Sequence, residues 1–129
     1  MRTCISVRTS FIAGHRVPEA LSAKCSKIHG HNYAVKVRVC RDGEIPWVMD
    51  LDELHKAVEK LLEPLDHSYI LAENQEEIVG AKNIRLPIKI ASAEEISRWI
   101  YESLIKIGIK GVAEVEVCET SDYCASYGE

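Results

Sequence analysis

Hydrophobic and polar residues alternate at both ends of the chain and repeat with a helical period in between. Over residues 2–12, Ile5, Val7, Thr9 and Phe11 fall on one face and Ser6, Arg8 and Ser10 on the other, which predicts a half-buried strand. Residues 14–26, with Pro18, read as a loop. Tyr33, Val35, Val37 and Val39 alternate with Ala34, Lys36 and Arg38, so 31–40 is a second strand, closed by the turn Arg41-Asp42-Gly43. A helix fits 51–63: Asp50 and Glu53 have capping-box spacing, Leu51, Leu54, His55, Val58, Leu61, Leu62 and Leu65 form one face, and Pro64 stops it. Residues 66–90 carry no period beyond a short helical turn near 75–79. A second helix fits 93–107, capped by Ser92 with Glu95, with Ile96, Trp99, Ile100, Leu104 and Ile107 on its apolar face and Gly108 behind it. Val112 to Glu119 and Tyr123 to Tyr127 complete the pattern as strands. The order ββααββ predicts an α+β fold, a four-stranded antiparallel sheet with two helices on one face. Its open edges need pairing, which points to an oligomer.

Composition adds limits. The 129 residues are expected to form one domain, 1–129, with 47% apolar and 28% charged residues. No stretch approaches the ~20 apolar residues of a membrane span, and the N-terminus lacks a signal peptide's apolar region, so a cytoplasmic protein is expected. A net charge of −4 argues against a nucleic-acid-coating surface. The five cysteines, at 4, 25, 40, 118 and 124, include no CxxC pair and do not read as a disulfide framework. Apart from Cys25 they are expected to be incidental thiols in a reducing compartment.

The candidate chemistry concentrates at residues 15–31. His29 and His31 are two apart on a strand and share a face. Antiparallel pairing of the first two strands would bring His15 back beside them, and Gly30 permits close approach. Three imidazoles suit zinc better than calcium or magnesium and leave a fourth position open. The plainer alternative is three hydrogen-bonded histidines. Cys25, flanked by Lys24 and Lys27, is either a fourth ligand closing a structural site or a base or nucleophile facing an open one. Asp66 beside His67 can fix an imidazole tautomer; the plainer alternative is a loop histidine bonded to its neighbour. His55 reads as a core residue. Glu119 could take a guanidine-like edge through paired hydrogen bonds, or be a solvated strand end.

These residues fall in an order that resembles the 6-pyruvoyltetrahydropterin and 6-carboxytetrahydropterin synthase superfamily. The matching pieces are Phe11-Ile12-Ala13-Gly14-His15, Cys25-Ser26-Lys27-Ile28-His29-Gly30-His31-Asn32-Tyr33, Val48-Met49-Asp50-Leu51, Leu65-Asp66-His67, Ser92-Ala93-Glu94-Glu95-Ile96 and Glu119-Thr120. The resemblance implies a T-fold (tunnelling fold), in which three four-stranded sheets close a barrel and two trimers stack as a homohexamer with active sites at subunit interfaces. It implies Zn2+ on His15, His29 and His31, proton transfer by Cys25, Asp66 and His67, and a pterin held by Glu119 with Ser92 and Thr120. Arg16, Lys24 and Lys27 are candidates for a triphosphate. The three-residue gap between Cys25 and His29 resembles the branch serving queuosine, a tRNA modification. That branch is a lyase turning 7,8-dihydroneopterin triphosphate into 6-carboxy-5,6,7,8-tetrahydropterin with release of triphosphate and acetaldehyde. The alternatives are 6-pyruvoyltetrahydropterin synthesis, a non-catalytic zinc- and pterin-binding oligomer, and a metal-assisted hydrolase. Ala91-Ser92 departs from the usual Pro-Thr, as does Phe-Ile-Ala-Gly-His from the usual first block; neither is expected to touch the metal set.

Overall fold

A computed structural model describes residues 1–129. The strands are β1 (Arg2–His15), β2 (His29–Asp42), β3 (Ser68–Leu71), β4 (Asn83–Arg85), β5 (Val112–Thr120) and β6 (Tyr123–Gly128); the helices are α1 (Leu51–Leu62), followed by a short 3-10 turn at Glu63–Leu65, and α2 (Ala93–Lys106). The α+β class and both helices stand as expected. The sheet does not: it has six strands in the order β4-β3-β1-β2-β5-β6. β1, β2, β5 and β6 run antiparallel as anticipated, but β3 pairs with β1 and β4 with β3 in parallel. The two extra strands separate the helices in sequence and fall within the stretch expected to be irregular. Ser68–Leu71 is buried at every position and so shows no alternation, and β4 has only three residues. The helical turn expected near 75–79 is absent; the stretch is irregular between turns at 73–74 and 79–80, and Arg85 ties its start by donating to the carbonyls of Ala72, Glu73 and Gln75.

β1 and β2 pair without a break from Arg2↔Asp42 to His15↔His29. Their odd-numbered residues turn inward, and Val7, Phe11, Ala13, Tyr33, Val35, Val37 and Val39 are buried with Val115 and Val117 of β5. Helix α1 packs on β1, and α2 on β5 and β6. Leu54, Val58 and Leu62 of α1 and Ile96, Ile100 and Leu104 of α2 cover that sheet face, each buried aliphatic side chain worth ~1.5–3 kcal/mol. Asp50 caps α1 by accepting from the amides of Asp52 and Glu53. Leu51 and Ile107, expected on the apolar faces, sit at helix ends and are exposed. His55 is not core: its side chain is 38% exposed and bridges Glu59 and the Arg8 carbonyl. It lies at the margin of the helical stripe, where an imidazole finds polar partners.

The cysteine expectation is also corrected. Cys4 faces Cys40 across β1 and β2, Cys118 faces Cys124 across β5 and β6, and both pairs are disulfides; only Cys25 is free. Their spacing hides the pairing because hairpin register, not sequence proximity, brings the sulfurs together. No helix is long and apolar enough to cross a membrane.

Candidate functional site

The unbroken β1–β2 register builds the centre of the site. His15 ends β1 directly opposite His29, and His31 lies opposite Ala13, so all three imidazoles project from the inward face of one hairpin end. At Gly30 a Cβ would stand 3.3 Å from the Ala13 carbonyl oxygen, which favours glycine where the strands press together. One donor nitrogen from each of His15, His29 and His31 lies within 4.8 Å of the others.

Two of the outer nitrogens are already committed. His15 Nδ1 lies 2.6 Å from the Ala91 carbonyl and His29 Nδ1 lies 2.6 Å from the Lys27 carbonyl. In a neutral ring that nitrogen is the donor, so each Nε2 keeps its lone pair for the interior. Nε2 of His15 and of His31 is buried without a hydrogen-bond partner. Burial is the main cause that lowers the pKa of both rings, opposed by the Glu119 charge and reinforced by His29, with the Ala91 hydrogen bond also opposing it at His15. Inward lone pairs on neutral, oriented imidazoles are what a zinc-type ion requires, so the residues present fit such an ion. The Ala91 contact corrects one expectation: the Ala91-Ser92 departure does touch the histidine set, through a backbone carbonyl. Ser92 supports that carbonyl by capping α2, its Oγ accepting from the Glu95 amide at 3.2 Å. The reciprocal half of the capping box is missing, because Glu95 accepts from Lys89 instead.

Glu119 is brought closer to the imidazoles than a strand-end reading suggests. β5 and β6 pair at Cys118↔Cys124 and again at Thr120↔Tyr123, which leaves Glu119 as the extra residue of a bulge. Bulges re-aim side chains. Here Glu119 Oε2 lies 3.3 Å from His15 Nε2 and 3.6 Å from His31 Nε2. Tyr33 stands edge-on to both rings with its hydroxyl buried and unpartnered, and burial followed by the Glu119 charge pushes its phenol pKa up. Glu119 also borders an open groove of about 330 Å³ with Ala93, Glu94, Tyr123 and Ala125. Thr120 is exposed, its Oγ1 accepting from the Asp122 amide in the β5–β6 turn.

Asp66 and His67 form a separate dyad just before β3. Asp66 Oδ2 pairs with His67 Nδ1 at 2.9 Å, while Oδ1 accepts from the Ile12 amide at 2.9 Å. The Ile12 N–H, then the His67 hydrogen bond, hold the Asp66 carboxyl below its usual pKa. His67 takes a left-handed backbone at φ 59° and donates its amide to the Ile12 carbonyl. Its side chain is 73% exposed. Cys25 lies in the 16–28 loop, partly buried, its amide donating to Ser22 Oγ. Its sulfur is not among the mutually close donor atoms of the histidine cluster. No hydrogen bond or ion pair joins Cys25 to the dyad, or the dyad to the imidazoles.

The chain is similar to known proteins over almost all its length. The family model for 6-pyruvoyl tetrahydropterin synthase matches residues 4–129. A 6-carboxy-5,6,7,8-tetrahydropterin synthase of Synechocystis is 31% identical over 125 residues, covering 92% of this chain and 87% of its own. One of Aquifex aeolicus is 30% identical, covering 100% of this chain and 99% of its own. The crystal structure of 6-pyruvoyl tetrahydropterin synthase from Plasmodium vivax shares the fold, with a TM-score of 0.79 at 23% identity over 100% of this chain and 98% of that one. With the matched family model spanning nearly the whole chain, the protein belongs to the 6-pyruvoyl tetrahydropterin synthase family, enzymes of tetrahydropterin synthesis.

Proposed function

We propose that the protein is a zinc-dependent lyase converting 7,8-dihydroneopterin triphosphate to 6-carboxy-5,6,7,8-tetrahydropterin, with release of triphosphate and acetaldehyde. The observation that carries it is the hairpin-end imidazole set with its interior nitrogens buried and unpartnered. The choice of branch rests on the relatives named 6-carboxy-5,6,7,8-tetrahydropterin synthase and on the free Cys25 four residues before His29.

In this reading His15, His29 and His31 hold Zn2+, oriented by the Ala91 and Lys27 carbonyls. Bound there, zinc would act as a Lewis acid toward the substrate's side-chain oxygens. Glu119 takes the amino and ring N–H edge of the pterin in the groove beside the start of α2, and fixes its orientation. Ser92 and Thr120 each keep a hydroxyl proton to donate nearby. Cys25 exchanges protons with the substrate as a thiol–thiolate pair. Asp66, held ionised, keeps the proton of His67 on Nδ1, so Nε2 is the atom that accepts and returns a proton.

The exposed dyad shares no hydrogen bond or ion pair with Cys25 or the imidazoles of its own chain. That separation favours a site completed by the dyad of a second copy, as in the homohexamer with interface sites that the family resemblance implies. Arg16, Lys24 and Lys27, around the Cys25 loop, are the candidates for the triphosphate. A cytoplasmic location and a role in queuosine synthesis accompany this reading. The test is incubation of zinc-loaded protein with 7,8-dihydroneopterin triphosphate and mass-spectrometric identification of the product. A carboxylated tetrahydropterin is expected, with strong loss in Cys25→Ala. A pyruvoyl product would move the protein to the other branch, and no turnover at full zinc loading would leave a pterin-binding oligomer.

A further inference from the structure

The geometry points to Glu119 as a fourth protein ligand of the zinc site while the pterin groove is empty, withdrawn when a pterin claims its carboxylate. This rests on the reading that His15, His29 and His31 hold zinc. The first argument is distance. Ligand atoms ~2.0–2.1 Å from one tetrahedral ion stand ~3.3 Å apart. Glu119 Oε2 lies 3.3 Å from His15 Nε2 and 3.6 Å from His31 Nε2, the spacing of neighbours in one coordination shell; it stands outside the mutually close set formed by His15, His29 and His31, so a turn of its side chain toward His29 completes the shell.

The second argument is the character of that contact. His15 Nδ1 donates to the Ala91 carbonyl, so Nε2 presents a lone pair; the carboxylate oxygen also presents lone pairs. Two acceptors facing each other attract only with a proton or a metal ion between them. Neither Nε2 has a hydrogen-bond partner, and no Lys or Arg pairs with Glu119. The carboxylate, 27% exposed, is therefore held largely out of water against the His15 lone pair and beside the unpartnered His31 Nε2.

The third argument is that Glu119 has a second place to go. It lines the groove beside Ala93, Glu94 and Tyr123, where a guanidine-like edge would demand both of its oxygens. One carboxylate cannot keep a coordination position and also make that paired contact. The resting site is thus closed to water and small anions, and pterin binding opens the position that the substrate's side-chain oxygens need. Cys25 stays outside the shell and free for proton transfer.

Cobalt(II) in place of zinc gives a readout independent of turnover. The wild-type protein and Glu119→Gln are each loaded with one equivalent, and their visible spectra and metal affinities (by chelator competition) are compared. The expected results are a different spectrum for Glu119→Gln and at least a ~10-fold weaker affinity. Azide should alter the Glu119→Gln spectrum and leave the wild type unchanged, whereas neopterin should alter the wild type. Glu119→Ala, with circular dichroism as the folding check, should behave as Glu119→Gln does. Identical spectra, affinities and azide responses in wild type and variants overturn the ligand role while the histidine site stands. A wild type that fails to bind cobalt, or binds it equally after His29→Ala, overturns the histidine reading itself.

Discussion

Replacing Cys4 and Cys40 together by serine removes a cross-link between residues 36 apart, while replacing Cys118 and Cys124 removes one between residues only 6 apart. Each disulfide restricts the unfolded chain in proportion to the logarithm of the loop it closes. The chain-entropy relation gives about 3.8 kcal/mol for the first and about 2.2 kcal/mol for the second. With an unfolding entropy near ~2.1 cal/mol/K per residue, those losses lower Tm by about 14 °C and about 8 °C. Alkylation in denaturant followed by intact-mass measurement comes first: one adduct is expected without reductant and five with it, since Cys25 alone is free. Thermal unfolding of the two double variants then gives the ranking. Five adducts without reductant would refute the pairing, and equal losses from the two variants would refute the loop-length reasoning.

Two further outcomes follow from the site's surroundings. Ser92→Ala removes the α2 cap and should cost about 1 kcal/mol, or about 4 °C in Tm, with Ser92→Asp restoring most of it; unchanged Tm with weakened pterin affinity would assign the hydroxyl to the ligand instead. In metal-free protein the lowered pKa values of His15 and His31 keep both rings neutral in the fold, whereas the unfolded chain takes up protons below its ordinary pKa of 6.5. Stability should therefore fall as pH drops through that value. Urea unfolding of chelator-treated protein from pH 7.5 to 5.5 checks this, and a flat profile would refute it.

The parts of the fold legible in the sequence are those whose period survives folding. β1, β2 and β5 each bury one face, so alternation marks them, and Asp50 and Ser92 announce the helices as caps. The three histidines were visible because two share a strand face and the third ends the preceding strand. β3 left no trace because both its faces are buried, and the disulfides left none because their partners are chosen by register. The carbonyls of Ala91 and Lys27 that orient two imidazoles are backbone atoms, which no residue type reveals.

Glu119 shows the same limit at the point where it matters most. Alternation through Val115 and Val117 already aims residue 119 inward, which the sequence displays. A regular β5–β6 ladder, however, would pair Glu119 across from a β6 residue and hold it in line with the strand. The bulge between Cys118 and Thr120 frees it from that pairing, and the Cys118–Cys124 disulfide pins the ladder one residue before the irregularity. On the other side, the β1–β2 register fixes the imidazoles, and a slip of one residue would turn His29 and His31 to the polar face. The histidines are thus set by an unbroken register and the carboxylate by a deliberate break in one. That division suits a rigid metal set served by a single side chain free to choose between the imidazoles and the groove.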